Sequence, residues 1–246
     1  MKRKAPSLVS VLAVLLILAV QSSGQDSLGK VAKQHSSYTI GVALEFTKKN
    51  RNAMLRVLSA VSAVDPNAYA TGFMVGDGLV MTSYHVVSGK LSAYKKRLLG
   101  FKPDDELEVK VYVNSCQAKV VRADPKADLA LLRVCTSKQA QRPTFQIAPR
   151  QNEQLLMIAQ PGEQKLMRRG NFEGPYPFAG SQFWSVKIDG QDGFSGSPVY
   201  DTKGEIVGVF SLYDSRRGVA LLSPAEKAQQ LLADYDAGLP AQPTQP

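Results

Sequence analysis

Histidine and cysteine are scarce in this sequence, two of each among 246 residues. Two cysteines exclude a dense disulfide framework and a four-cysteine zinc site. Two histidines confine any reaction that needs an imidazole base to His35 or His85. Long apolar runs are lacking as well. The run at residues 8–20 is broken only by Ser10, and it falls short of the about 20 residues that a membrane-spanning helix requires. No fixed-period repeat is visible, which argues against solenoids and propellers. Acidic residues are the minority charge, 21 against 30 Lys and Arg, for a net charge of +9.

What is present describes a folded, exported domain. A hydrophobic fraction of 44% with 21% charged residues is enough to build a core and excludes general disorder. Lys2, Arg3 and Lys4, then the apolar run, then Ser22, Ser23 and Gly24 match a secretory signal peptide over residues 1–24. Cleavage after Gly24 is expected, with retention as an anchor the alternative. The mature chain then keeps 27 basic and 21 acidic residues, a charge of +6. Its basic residues, such as Lys95, Lys96, Arg97, Arg168 and Arg169, are scattered, so they read as a solvated surface and no nucleic-acid partner is expected.

Short apolar runs separated by Gly, Pro, Asp and Asn predict an all-β sandwich or barrel pair. The expected strands are 38–46, 70–75, 79–82, 107–113, 118–122, 129–134, 155–159, 183–188, 206–213 and 219–222, with Gly76-Asp77-Gly78 as a hairpin turn. Ser223-Pro224-Ala225-Glu226 offers an N-cap, a proline at the first helical position and a glutamate three residues after the cap. A C-terminal helix over 224 to about 234 follows. Residues 52–64 carry helical spacing and are read as a helical insertion, and 238–246 as a disordered tail. The segments Ala118 to Arg122 and Leu129 to Val134 are expected to pair antiparallel, which would bring Cys116 and Cys135 together as a disulfide. Two buried free thiols are the alternative.

The most informative segment is Gly193-Phe194-Ser195-Gly196-Ser197-Pro198. A serine between glycines on a tight loop can expose its hydroxyl while nearby N–H groups stay free to bind an oxyanion, although the same residues also make an ordinary turn. A nucleophile elbow of the α/β-hydrolase type is excluded, because Ser197 and Pro198 stand where that motif needs glycine and a helix. A serine hydroxyl needs a histidine base and a carboxylate to orient that base. His85 lies just beyond the apolar stretch ending in Val80 and Met81, whereas His35, near the start of the mature domain, reads as structural. Asp128 opens the run Leu129 to Val134, and a carboxylate there must be paired because water is scarce. Asp124 reads as a loop-capping residue in the same turn.

Three blocks, Thr71-Gly72-Phe73-Met74-Val75 through His85-Val86-Val87, Asp128-Leu129-Ala130-Leu131-Leu132 and Gly193 to Pro198, resemble in order the catalytic blocks of trypsin-like serine peptidases. The likeness is to the bacterial kind, the protease domain of the HtrA family and the staphylococcal glutamyl endopeptidases, and it runs from about Val31 to Leu232. It implies two six-stranded antiparallel β-barrels, with the active site in the cleft between them, over residues 25–237. His85 and Asp128 would come from the first barrel and Ser195 from the second. The N–H groups of Gly193 and Ser195 would form the oxyanion hole, and no metal or organic cofactor is implied. Phe194 departs from the Asn or Asp usual at its position.

The resemblance to trypsin also puts Asp189 where an acidic pocket floor would select Lys or Arg. Asp189-Gly190 also reads simply as a turn ending the strand 183–188, and HtrA-like relatives lead one to expect small aliphatic residues instead. The implied function is a secreted or periplasmic serine endopeptidase acting on protein or peptide substrates, free of the membrane once the leader is removed. An inactive binding module on the same fold and an esterase using the same residues are the competing readings.

Overall fold

The computed structural model describes residues 27–49, 66–135 and 140–239. The expected signal peptide, the insertion at 52–64 and residues 240–246 of the expected tail lie outside them. A helix over residues 27–35, α1, leads through a short 3₁₀ turn at Ser36–Tyr38 into the first strand, β1 (Thr39–Lys48). β2 (Ala68–Gly76), β3 (Leu79–Ser83), β4 (Leu107–Val113), β5 (Cys116–Gln117), β6 (Lys119–Asp124) and β7 (Leu129–Arg133) follow, with short helices α2 (Tyr84–Val87) and α3 (Ala93–Leu98) after β3. The second half holds β8 (Gln154–Ala159), β9 (Leu166–Phe178), β10 (Ser181–Val186), β11 (Pro198–Tyr200), β12 (Ile206–Asp214), β13 (Val219–Pro224) and α4 (Ala225–Asp236).

The second half is a closed six-stranded antiparallel barrel in the order β10-β13-β12-β11-β8-β9. The first half differs from the expected closed six-stranded barrel. It is a curled seven-stranded sheet, β5-β4-β1-β2-β3-β7-β6, whose edges are β5 and β6. Those edges are consecutive in the chain, joined through Ala118, whose N–H donates to the Val111 carbonyl instead of to a neighbouring edge. Covalent connection, not a ladder, brings the edges together.

Both faces of the central strands are buried, which is why they read as unbroken apolar runs. In β3, Leu79 and Met81 face the space between the halves while Val80 faces the interior of the first sheet. In β8, Leu156 and Ile158 face that same middle layer, and Leu155 and Met157 point into the closed barrel. The helix α4 lays Ala228, Leu231 and Leu232 into the middle layer at helical spacing.

That helix starts one residue later than expected. Ser223 stays in β13, paired with Val209, and its hydroxyl donates to the Ala127 carbonyl, so it cannot cap; Pro224 takes the N-cap position with no side-chain bond. At the other end Gly238 sits at φ +63, with its N–H on the Tyr235 carbonyl and the Leu239 N–H on the Asp234 carbonyl. This is a Schellman stop.

β9 was not expected from sequence. Arg168, Arg169, Gly170, Gly174, Pro175 and Pro177 give it the composition of a loop, yet it pairs with β8 and β10 along its length. A side chain on Gly170 would lie 1.9 Å from the Lys187 carbonyl oxygen, which explains glycine there.

Cys116 and Cys135 form the expected disulfide, with Cα atoms 6.0 Å apart. It ties β5 at one edge to the end of β7, beside the other edge. For a loop of this length the chain-entropy model puts its contribution at about 3 kcal/mol. Denaturant unfolding of Cys116→Ser,Cys135→Ser is expected to show that loss, and alkylation of the unreduced chain to add no label.

His35 ends α1 half-buried, its ring 4.7 Å from that of Tyr200, and Gly204 leaves room for it. Burial holds its pKa below the ordinary 6.5, so the unfolded chain binds this proton more readily than the folded one. Its contribution to stability is therefore present above pH 6.5 and declines as the pH falls below that value. Denaturation midpoints at pH 8 and 5.5 are expected to differ less in His35→Gln than in the wild type.

Candidate active site

The site lies where the ends of β3 and β7 meet the loop before β11. β3 ends at Ser83, and the chain turns at once into α2, which places His85 in its first turn. Asp128 precedes β7 at φ +54, a left-handed conformation that aspartate tolerates better than most residues. Its carbonyl accepts the Tyr84 N–H, 3.0 Å, which holds the two turns side by side.

Asp128 uses both carboxylate oxygens on His85. Oδ1 accepts the backbone N–H of His85 at 2.8 Å, and Oδ2 meets the ring Nδ1 at 2.8 Å. Oδ2 also accepts the hydroxyl of Ser211, from β12 in the closed barrel. The other ring nitrogen of His85, Nε2, lies 2.9 Å from Ser195 Oγ. Because an ionised carboxylate only accepts, Nδ1 carries the proton and Nε2 is left to accept the serine hydroxyl hydrogen. Three residues expected from sequence thus form one continuous hydrogen-bonded chain. Asp124 lies outside it, its Oδ1 accepting the N–H groups of Lys126 and Ala127.

The serine loop is held from several directions. Phe194 N–H donates to the Gln191 carbonyl with Gly193 at φ +89, the pattern of a type II turn. Gly196, at φ +88, donates to the Phe210 carbonyl, and a Cβ on it would lie 2.1 Å from the Thr71 carbonyl oxygen. Among the described residues the N–H groups of Gly193 and Ser195 have no intramolecular acceptor. They remain available to a bound group.

Two hollows flank Ser195 and His85. One, about 420 Å³, is lined by Gly190, Gln191 and Asp192 and by Ser211, Leu212 and Tyr213 of β12. The other, about 350 Å³ and mainly apolar, is lined by Leu44, Phe46, Ala70, Val86, Leu91 and Leu99 on the side of the first sheet. Lys95 of α3 and Asp192 of the serine loop form an ion pair of 3.1 Å across the rim. Asp189 is exposed and is not among the residues lining either hollow, while its neighbour Gly190 lies directly against the Tyr213 ring. Among the described residues no group of His, Cys, Asp and Glu converges so as to hold a metal ion.

Ser211 was missed from sequence. Its one signal is a lone polar residue inside the apolar run Val209-Phe210-Ser211-Leu212. Phe194, the departure noted above, is 1% exposed and packs edge-on against Phe210 within the barrel core.

Comparison with known proteins finds similar sequences and similar folds. A Brucella suis protein described as a "probable periplasmic serine endoprotease DegP-like" is 28% identical over 187 residues, covering 68% of this chain and 33% of its own length. The chain therefore spans about a third of that relative. Rv3671c from Mycobacterium tuberculosis is similar in fold. Its inactive form superposes with a TM-score of 0.58 at 19% identity, covering 86% of this chain and 93% of its own. Its active form gives 0.59 at 19% identity, covering 82% of each. The pattern of the family described as the trypsin-like peptidase domain matches residues 70–209, more than half of the sequence and inclusive of His85, Asp128 and Ser195. The chain belongs to the trypsin-like peptidase domain family.

Proposed function

We propose that this chain is a serine endopeptidase that cleaves peptide bonds through an acyl-enzyme. The observation that carries the reading is the bridging position of His85, 2.8 Å from Asp128 and 2.9 Å from Ser195. Ser195 attacks the carbonyl as His85 takes its proton, and Asp128 stabilises the imidazolium that results. The unengaged N–H groups of Gly193 and Ser195 receive the oxyanion. His85 then returns the proton to the leaving amine, and water repeats the sequence on the acyl group. No cofactor takes part in these steps.

The apparatus acts outside the cytoplasm, secreted or in the periplasm. The leader-like start of the sequence, the Cys116–Cys135 disulfide and the printed description of the Brucella relative support this location. Protein or peptide chains are the substrates, a reading supported by the printed description of the Brucella relative as an endoprotease and by the two hollows that flank Ser195.

A fluorophosphonate probe is expected to label the wild type at Ser195 and to leave Ser195→Ala unlabelled; an unlabelled wild type would favour a binding module instead. Peptide turnover exceeding ester turnover separates the peptidase from an esterase. Ser195→Ala and His85→Ala are each expected to lower kcat by about 10,000-fold or more, and the double variant no further, because either loss already breaks the mechanism.

Asp189 is given no part in selecting the residue before the cleaved bond. Peptide-library profiling of Asp189→Ser is expected to reproduce the wild-type profile. Loss of a Lys or Arg preference in that variant would return the pocket floor to Asp189.

A further inference from the structure

The strand β2 starts ahead of its first pair with β3, Phe73 with Met81, and over that leading stretch the serine loop takes the place of β3 as its neighbour. Thr71 stands at this junction, fully buried, with every polar group engaged. Its hydroxyl accepts the Gln160 N–H at 2.9 Å. The one hydroxyl hydrogen is therefore free to go to the Gly193 carbonyl, 2.8 Å away. The Thr71 N–H donates to the Ser195 carbonyl at 2.9 Å, and its carbonyl accepts the Thr82 hydroxyl at 2.7 Å.

We propose that Thr71 is a positioning residue that fixes the oxyanion-binding N–H groups relative to Ser195. The inference rests on the peptidase reading and names a residue for it that acts from the opposite half of the fold. Thr71 holds the peptide between Gly193 and Phe194 through its hydroxyl, and the peptide between Ser195 and Gly196 through its N–H. The intervening peptide, which carries the Ser195 N–H, is bracketed on both sides by one rigid strand residue. The Gly193 N–H belongs to the peptide unit just before the first bracket. Pro161, next to Gln160, closes the other side, since a Cβ on Gly193 would fall 2.5 Å from the Pro161 Cβ. Gly196 lies flat on the same strand, as its lack of room beside the Thr71 carbonyl requires.

Removing the hydroxyl leaves the Gly193 carbonyl and the Gln160 N–H buried without partners. The first bracket is then lost while the His85–Asp128 pair is untouched. Thr71→Val, which keeps the branched shape, and Thr71→Ser, which keeps the hydroxyl, separate this role from simple packing. The readout is the second-order rate of Ser195 labelling by a fluorophosphonate, whose phosphoryl oxygen occupies the oxyanion position, corrected for the folded fraction measured by circular dichroism. Thr71→Val is expected to label about tenfold to a hundredfold more slowly than the wild type. Thr71→Ser is expected to label close to the wild-type rate, and the pH of half-maximal labelling to be the same in all three. Should Thr71→Val not fold, Thr71→Ala takes its place in the same comparison. Wild-type labelling by the variant without the hydroxyl, an equal loss in Thr71→Ser, or a shifted pH midpoint each overturns the clamp and leaves the peptidase reading standing. A wild-type chain that is not labelled at Ser195 overturns that reading, and the clamp with it.

Discussion

The carboxylate of Asp128 is the constraint around which the site is arranged. Its side chain is only 14% exposed, and a carboxylate so far from water is costly unless its lone pairs are taken. Three donors meet that need: the His85 backbone, the His85 ring and the Ser211 hydroxyl. Two come from the start of α2 and one from the closed barrel. Satisfying one charge therefore fixes the imidazole plane, its tautomer and the approach of the two halves at once. Without the Ser211 contribution the carboxylate would be anchored to the first sheet alone.

Around this charge the seam between the halves is polar along a thin line and apolar elsewhere. Ser83 donates to the Phe210 carbonyl at 2.9 Å, Thr71 to Ser195, and Ser223 to Ala127. Behind them Phe73, Met81, Leu129, Leu156 and Val209 fill the middle layer. Apolar burial supplies the non-directional attraction between sheet and barrel. The few hydrogen bonds contribute register, because leaving any of them unmade in that layer would cost about 1–3 kcal/mol. Such a division suits a site that needs precise placement of a few atoms more than it needs additional adhesion.

The parts of this arrangement that could be read in the sequence are those with a chemical or periodic signature. His85, Asp128 and Ser195 stood out because few residues could do the work, and the apolar runs located most strands of both halves. Where physics acts through three-dimensional context the reading failed. β9 has the Gly and Pro content of a loop, and only closure of the barrel supplies partners on both sides. Ser223 has the local chemistry of a helix cap, but a ladder pairing and the Ala127 carbonyl use it first. One edge of the first sheet is a two-residue strand, β5, too short to carry any pattern. Ser211 and Thr71 act through residues more than 80 positions away, a relation no local window contains.

Phe194 shows how an apparent local defect becomes an alternative solution. A polar side chain at that position could order the serine loop by a directed bond, and the sequence has none to offer there. The aromatic ring is instead inserted among Phe210, Val199 and Leu155 in the barrel core, with Arg168 stacked over it at 5.8 Å. Burying a phenylalanine side chain fully contributes about 1.5–3 kcal/mol, of the order that a good charged hydrogen bond provides. The difference lies in what that energy responds to. An ion-paired anchor weakens as its partners titrate or salt screens them, whereas an apolar anchor does neither. In this chain the turn that presents the Gly193 and Ser195 N–H groups is therefore tied to the integrity of the barrel core, and its order follows the stability of the fold itself.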